Sequence, residues 1–293
     1  MLSEPDEIMQ AFRGTALEGQ AVTQEPDSNV LLVEWPHPDD LLPAWRAARS
    51  LTDTTGRWPL FLTNDFTKKL PPFVSPDTLA RLDTAAGTVD PWSSRELQPW
   101  IDHTPIDAEN LAETIRSVVR SRSVMSRLEP EVPRLAQDLA ATVELPTTSD
   151  VVERWAFDRI STDPSLLDQL LDPSGAALPS RYGDWFAPEG VYLALLPTRS
   201  PWLPTAWHSY YGINDQETLA ACLWQWHQAW GAELVASWGT MLQLVVARHP
   251  DFGPDAWTLA GQHLAVGNSL WISRLALAWD LSLRDTWFLH ARP

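Results

Sequence analysis

Apolar residues recur at strand or helix spacing along most of this chain, with Pro and Gly marking the breaks. Residues Glu4 to Phe12 predict a short amphipathic helix, followed by a polar, Gly-containing link up to residue 29. NVLLVEW, Asn29 to Trp35, predicts a strand, because a short Val, Leu and Trp run is bounded by Pro36. The PHPDD turn then starts a helix predicted over Asp40 to Thr54, with Leu42, Trp45, Ala48 and Leu51 at helical spacing. Gly56 ends it, and Arg57 to Thr63 is the next strand.

From Asp65 to Pro105 the sequence is rich in Pro and polar residues, and it predicts loops and short helices carrying the isolated aromatics Phe73, Trp92 and Trp100. A better helix spans Ala108 to Val124, apolar at Leu111, Ile115, Val118 and Val119 and basic at Arg116, Arg120 and Arg122. Two more helices are predicted, Val132 to Ala141 and Val151 to Arg159. The C-terminal part predicts a strand at VYLALL, a helix from Glu217 to Trp230, strands at Leu234 to Ser237 and Met241 to Ala247, and a helix from Pro254 to Ala265. A last helix finishes in a strand-like WFLHA.

The mixed order of strands and helices, with a hairpin-like pattern over Val235 to Val246, predicts an α+β fold with a mixed sheet and packed helices. Three sections follow along the chain: an N-terminal αβ unit with long loops over 1–105, a mainly helical middle over 106–183, and an α+β domain over 184–293. AWRAARSLTDTTGRWPLFLT and WQWHQAWGAELVASWGTMLQLVV share one plan, a Trp-rich helix that stops at Gly and returns as an apolar strand. Duplication and independent origin both account for it.

Residues 191–264 carry a more specific pattern. VYLALLP is an apolar strand ending in Pro, PWLP a Trp-Pro turn, Gly212 to Asn214 a Gly-Asn step, WQWHQAWGAE a Trp helix before Gly-Ala-Glu, and Arg248-His249-Pro250 a turn before an Ala-rich helix. This run resembles the domain-of-unknown-function 4253 family. The resemblance implies a fold unit and no chemistry. Relatives commonly carry Cys and Pro after the Asn, where this chain has Gln216 and Glu217 after Asn214-Asp215.

Composition narrows the function classes. The chain has 293 residues with 21 basic against 38 acidic side chains, a net charge of -17, which repels phosphate backbones and anionic lipid surfaces and suits a basic protein partner. Nucleic acid and membrane are therefore not expected as partners. Only Lys68 and Lys69 are lysines, an arginine bias expected of a GC-rich bacterial genome. The N-terminus lacks a basic and apolar leader pattern, and no segment reaches the roughly 18 uninterrupted apolar residues of a membrane helix. A cytoplasmic protein is expected. The single cysteine, Cys222, sits in an apolar helical pattern and reads as a reduced, buried thiol.

Two regions carry candidate chemistry. His37-Pro38-Asp39-Asp40, directly after an apolar strand, resembles the signature of the zinc-dependent de-N-acetylase family. That resemblance implies His37 and Asp40 as zinc ligands and Asp39 as the group that activates the metal-bound water. The sequence departs from the family at Leu41, where the Glu after the signature is missing, and at LPAWRAA, which replaces a Gly-rich turn. The second region, SPWLPTAWHSYYGIND, gathers Trp202, Trp207, His208, Tyr210, Tyr211, Asn214 and Asp215 in a Pro- and Gly-containing loop, and Tyr and Trp dominate binding hot spots. The same residues also fit a packed aromatic corner over a helix cap. Neither a phosphate-binding glycine run nor a Gly-x-Ser-x-Gly elbow occurs. The leading expectation is a non-catalytic, cofactor-free protein that binds a basic protein, as an inhibitor or immunity-like factor, through its acidic surface and this loop; the alternative is a zinc-dependent amide hydrolase.

Overall fold

The computed structural model describes residues 1–24, 28–35, 37, 40–71, 73–97, 104–120, 125–171, 186, 188–270 and 272–292. In chain order the elements are α1 (Pro5–Ala11), β1 (Val22–Gln24), β2 (Leu31–Trp35), α2 (Leu41–Ser50), α3 (Thr52–Thr55), β3 (Trp58–Thr63), α4 (Asn64–Thr67) and α5 (Pro76–Thr88). Then come α6 (Leu111–Arg120), α7 (Val132–Ala140), α8 (Ser149–Thr162), α9 (Pro164–Leu171), β4 (Val191–Leu196), α10 (Gln216–Trp230), β5 (Glu233–Ser237), β6 (Met241–Val245), α11 (Pro254–Val266), α12 (Arg274–Leu281) and β7 (Thr286–His290).

The fold is α+β, built on a seven-stranded mixed sheet in the order β1-β2-β4-β3-β5-β6-β7. Only β3 and β5 pair in parallel, through Phe61 and Ala236; the other described neighbours are antiparallel. The chain divides into two compact units, and both are discontinuous: residues 1–97, 184–248 and 286–293 form unit 1, and residues 98–183 and 249–285 form unit 2. The sections read from the sequence were drawn along the chain. The structure instead groups α11 and α12 with the middle helices, where α12 packs against α6, α8 and α11.

Unit 1 holds the whole sheet. β3 and β4 are apolar along almost their full length (WPLFLT and VYLALL), as expected of strands covered on both faces. The two Trp-rich helices run into β3 and β5 through Gly56 and Gly231, both left-handed. At Gly231, with φ 63°, an added Cβ would also lie 2.7 Å from the Ala247 Cβ. Several buried indole N–H groups find acceptors: Trp45 donates to the Pro59 carbonyl at 2.9 Å, Trp58 to Leu234 at 3.2 Å, and Trp238 to the Gln243 side chain at 2.6 Å. Trp226 and Trp287 meet edge to face at 6.0 Å. Cys222 is buried, and burial pushes its thiol pKa up.

Arg57 is buried in the same unit with no carboxylate partner among the described residues. Its guanidinium donates to the carbonyls of Leu2 (2.7 Å), Asn29 (2.7 Å) and Leu195 (3.0 Å), and burial pushes its pKa down to about 10. One cation thus ties the N-terminal segment and the entry to β2 onto the start of β3 and the end of β4.

Unit 2 is helical. Phe157 packs its ring against Phe252 at 5.1 Å and Trp257 at 4.7 Å, and the Glu153 carboxylate on α8 accepts the Leu275 N–H at 2.9 Å near the start of α12. Burial pushes the Glu153 pKa up.

Several sequence expectations need correction. Asp65 to Pro105 contains a 13-residue helix, α5, capped by Ser75 and buried through Leu82, Ala85 and Ala86; small alanines make its apolar stripe too faint to read as a period. The helix predicted over Asp40 to Thr54 is two, broken at Leu51. Asp40 stands at the α2 N-terminus, yet its carboxylate accepts no capping hydrogen bond, and Asp39 lies outside the described residues. The helix predicted over Ala108 to Val124 is described from Leu111 to Arg120. β1 and α9 were not anticipated.

Candidate functional site

Because β2, β3 and β5 run in the same direction, their carboxyl ends lie along one end of the sheet, where Trp35, Val191 and Thr63 stand in register. Three chain segments emerge there: His37 and Asp40 after β2, α4 with Phe66 after β3, and the Trp238-Gly239 turn after β5. Loops at the carboxyl ends of co-directional strands are where open sheets hold their ligands. The later part of the aromatic loop, from His208 to Tyr211, reaches this same end, where it meets Ser237 and Gly239.

His208 forms its centre. It is 6 % exposed, and its Nε2 lies 2.7 Å from the Oγ of Ser237, the fully buried last residue of β5. Burial pushes its pKa down to about 4, so the ring is neutral at physiological pH and Nε2 can accept the Ser237 hydroxyl. Phe66 lies against the imidazole with ring centroids 5.6 Å apart. The same phenyl ring rests directly on Gly239, whose φ of 80° and missing Cβ make room for it.

The loop residues separate into two groups. Trp207 (2 % exposed) and Tyr210 (1 %) are buried with His208, and burial raises the Tyr210 pKa. Trp207 Nε1 has no acceptor among the described residues. Trp202 is half-buried; its Nε1 donates to Asp83 on α5 at 2.9 Å and its ring lies 5.8 Å from that of His227. Asp215 caps α10, accepting the N–H groups of Glu217 (3.3 Å) and Thr218 (3.1 Å) and the Thr218 hydroxyl (2.6 Å). Burial pulls its pKa upward, but these bonds and Arg81 together outweigh that and hold it below the ordinary value. Tyr211, by contrast, is 58 % exposed, with its backbone N–H fixed to the Gly239 carbonyl at 2.9 Å, and Asn214 is exposed nearby in sequence.

His37 is exposed; its carbonyl accepts the Trp35 Nε1–H at 2.8 Å and its ring meets the Trp35 ring edge-on at 5.9 Å. Among the described residues, which include His37 and Asp40 but not Asp39, no three His, Cys, Asp or Glu side chains converge as a metal-binding group. The sequence offered no spacing that pairs His208 with Ser237, 29 residues apart. The available signal was a polar residue closing the apolar run Leu234 to Ala236.

Residues 192–290 match the model of a family described as Domain of unknown function (DUF4253), a stretch that runs from β4 through β7 and includes the unit 2 helices α11 and α12. No curated protein matches the chain, and no solved structure does. No helix of the described residues is long and apolar enough to cross a membrane.

Proposed function

We propose that this protein binds another protein, basic in character, without catalysing a reaction on it, in the manner of an inhibitor or immunity factor. The observation that carries the reading is Tyr211, a large aromatic side chain held outward on a corner whose neighbours Trp207, His208 and Tyr210 are locked inside. An exposed aromatic on a rigid base gives up little conformational entropy on binding, which is how hot-spot residues contribute most of an interface's energy. The net charge of -17 supports a basic partner, attracted over a longer range.

The test is affinity capture from the native host with wild-type and Tyr211→Ala protein, followed by mass spectrometry. A basic partner released by raised salt is expected, with capture reduced about 30-fold or more by the substitution, as for a hot-spot loss of roughly 2 kcal/mol. Recovery of neutral or acidic proteins only, insensitive to salt, would sink the reading.

A further inference from the structure

Unit 1 carries 20 acidic residues against 11 lysines and arginines, and the excess is not spread evenly. Residues 1–40 hold nine of those acidic side chains and a single cation, Arg13, so the remainder of the unit is close to neutral. Among the described residues Glu4, Asp6, Glu7, Glu18, Glu34 and Asp40 are exposed. Here α1 and residues 18–20 line an open groove of about 540 Å³. Its charged groups are Asp6, Arg13 and Glu18, and Met9, 37 % exposed, adds apolar surface. Glu18 Oε2 accepts the Gly14 N–H at 2.9 Å, whereas Asp6 and Arg13 make no ion pair among the described residues.

We propose that this groove docks the basic partner, taking a Lys or Arg side chain whose methylene stem lies on Met9 and whose cationic head meets Asp6 and Glu18. A long cationic side chain needs both an apolar surface and a carboxylate at its tip, and the groove presents the two together. The proposal rests on the protein-binding reading above and adds the face that performs it. Position supports the link. Gln20 leads into β1, whose Val22 pairs with Val33 toward the carboxyl end of β2, so the Glu18–Gln20 side of the groove lies at the same end of the sheet as Tyr211, while Leu2, ahead of α1, is held at the opposite end by Thr55 and Arg57. Four strand intervals separate β1 from β5, roughly 19 Å at about 4.8 Å each. A partner covering about 800 Å² reaches across that distance.

The experiment uses the full chain and a fluorescein-labelled hexa-arginine peptide, with binding read by fluorescence anisotropy in dilute salt and folding checked by circular dichroism. Asp6→Lys combined with Glu18→Gln, which keeps an acceptor for the Gly14 N–H, is expected to weaken binding about tenfold. Arg13→Ala removes the competing cation and is expected to tighten it about threefold. Glu109→Lys with Asp168→Asn makes the same change of net charge in unit 2 and should leave affinity within about twofold. Equal losses in the two double variants, or no loss in the first, would overturn the groove. Tyr211→Ala separates the two readings: partner capture that depends on Tyr211, alongside an indifferent groove, removes only the docking site, whereas a groove-dependent peptide with Tyr211-independent capture removes only the aromatic anchor.

Discussion

Acidification should destabilise unit 1 in part through His208. Its folded pKa is about 4, against about 6.5 for an unperturbed imidazole, so between these values the unfolded chain takes up a proton that the folded chain refuses. Stability from this group is therefore complete above pH 6.5, falls as the pH drops toward 4, and is lost below. From the two values, the loss is about 2 kcal/mol at pH 5 and about 3 kcal/mol well below pH 4. Other groups titrate in this range, including the buried His263, which burial likewise pushes down to about 4. They cancel when wild type is compared with His208→Gln, whose side chain still reaches Ser237 but does not ionise. Urea unfolding followed by circular dichroism at pH 7.5, 6, 5 and 4.5 gives both curves. The difference in stability between the two proteins should shift by about 2 kcal/mol in favour of the variant between pH 7.5 and 5. A difference that stays constant across that range would refute the account of a buried, neutral imidazole held by Ser237.

Two other substitutions test the frame around the site. Arg57→Met leaves three carbonyls without their donor and should cost about 3–5 kcal/mol in urea unfolding, since each buried acceptor left unpaired costs about 1–3 kcal/mol and solvent recovers part of it; a loss below about 1 kcal/mol would show that the cation is not the tie it looks to be. Asp215→Ala removes the α10 cap and should lower stability by about 1–2 kcal/mol, whereas Asp215→Ser should restore most of it, as thermal denaturation of the three proteins would report.

The strands and the C-terminal helices were legible because their apolar residues follow one period without interruption: LLVEW, WPLFLT and VYLALL admit few other readings. α5 was not, since alanine carries little hydrophobic contrast and its burial is decided by the helix it packs against. The loop of residues 200–215 was recognisable as unusual, but its composition could not tell Tyr210 from the adjacent Tyr211. One is buried and the other exposed, and only the turn that joins Tyr211 to Gly239 settles which. The pairing of His208 with Ser237 is beyond local sequence altogether, because it depends on where β5 ends relative to a loop that enters from β4.

The strand order also sets the schedule on which this protein can be made. β4 lies between β2 and β3, yet roughly 130 residues separate the end of β3 from the end of β4. At about 5–20 residues per second the ribosome takes roughly 7–26 s to deliver that strand. Throughout that interval two apolar strands, LLVEW and WPLFLT, are outside the exit tunnel with their shared neighbour missing and their backbone edges open to other chains. From this order a slow codon cluster just before residue 191 is expected to lower the yield of folded protein more than one after it.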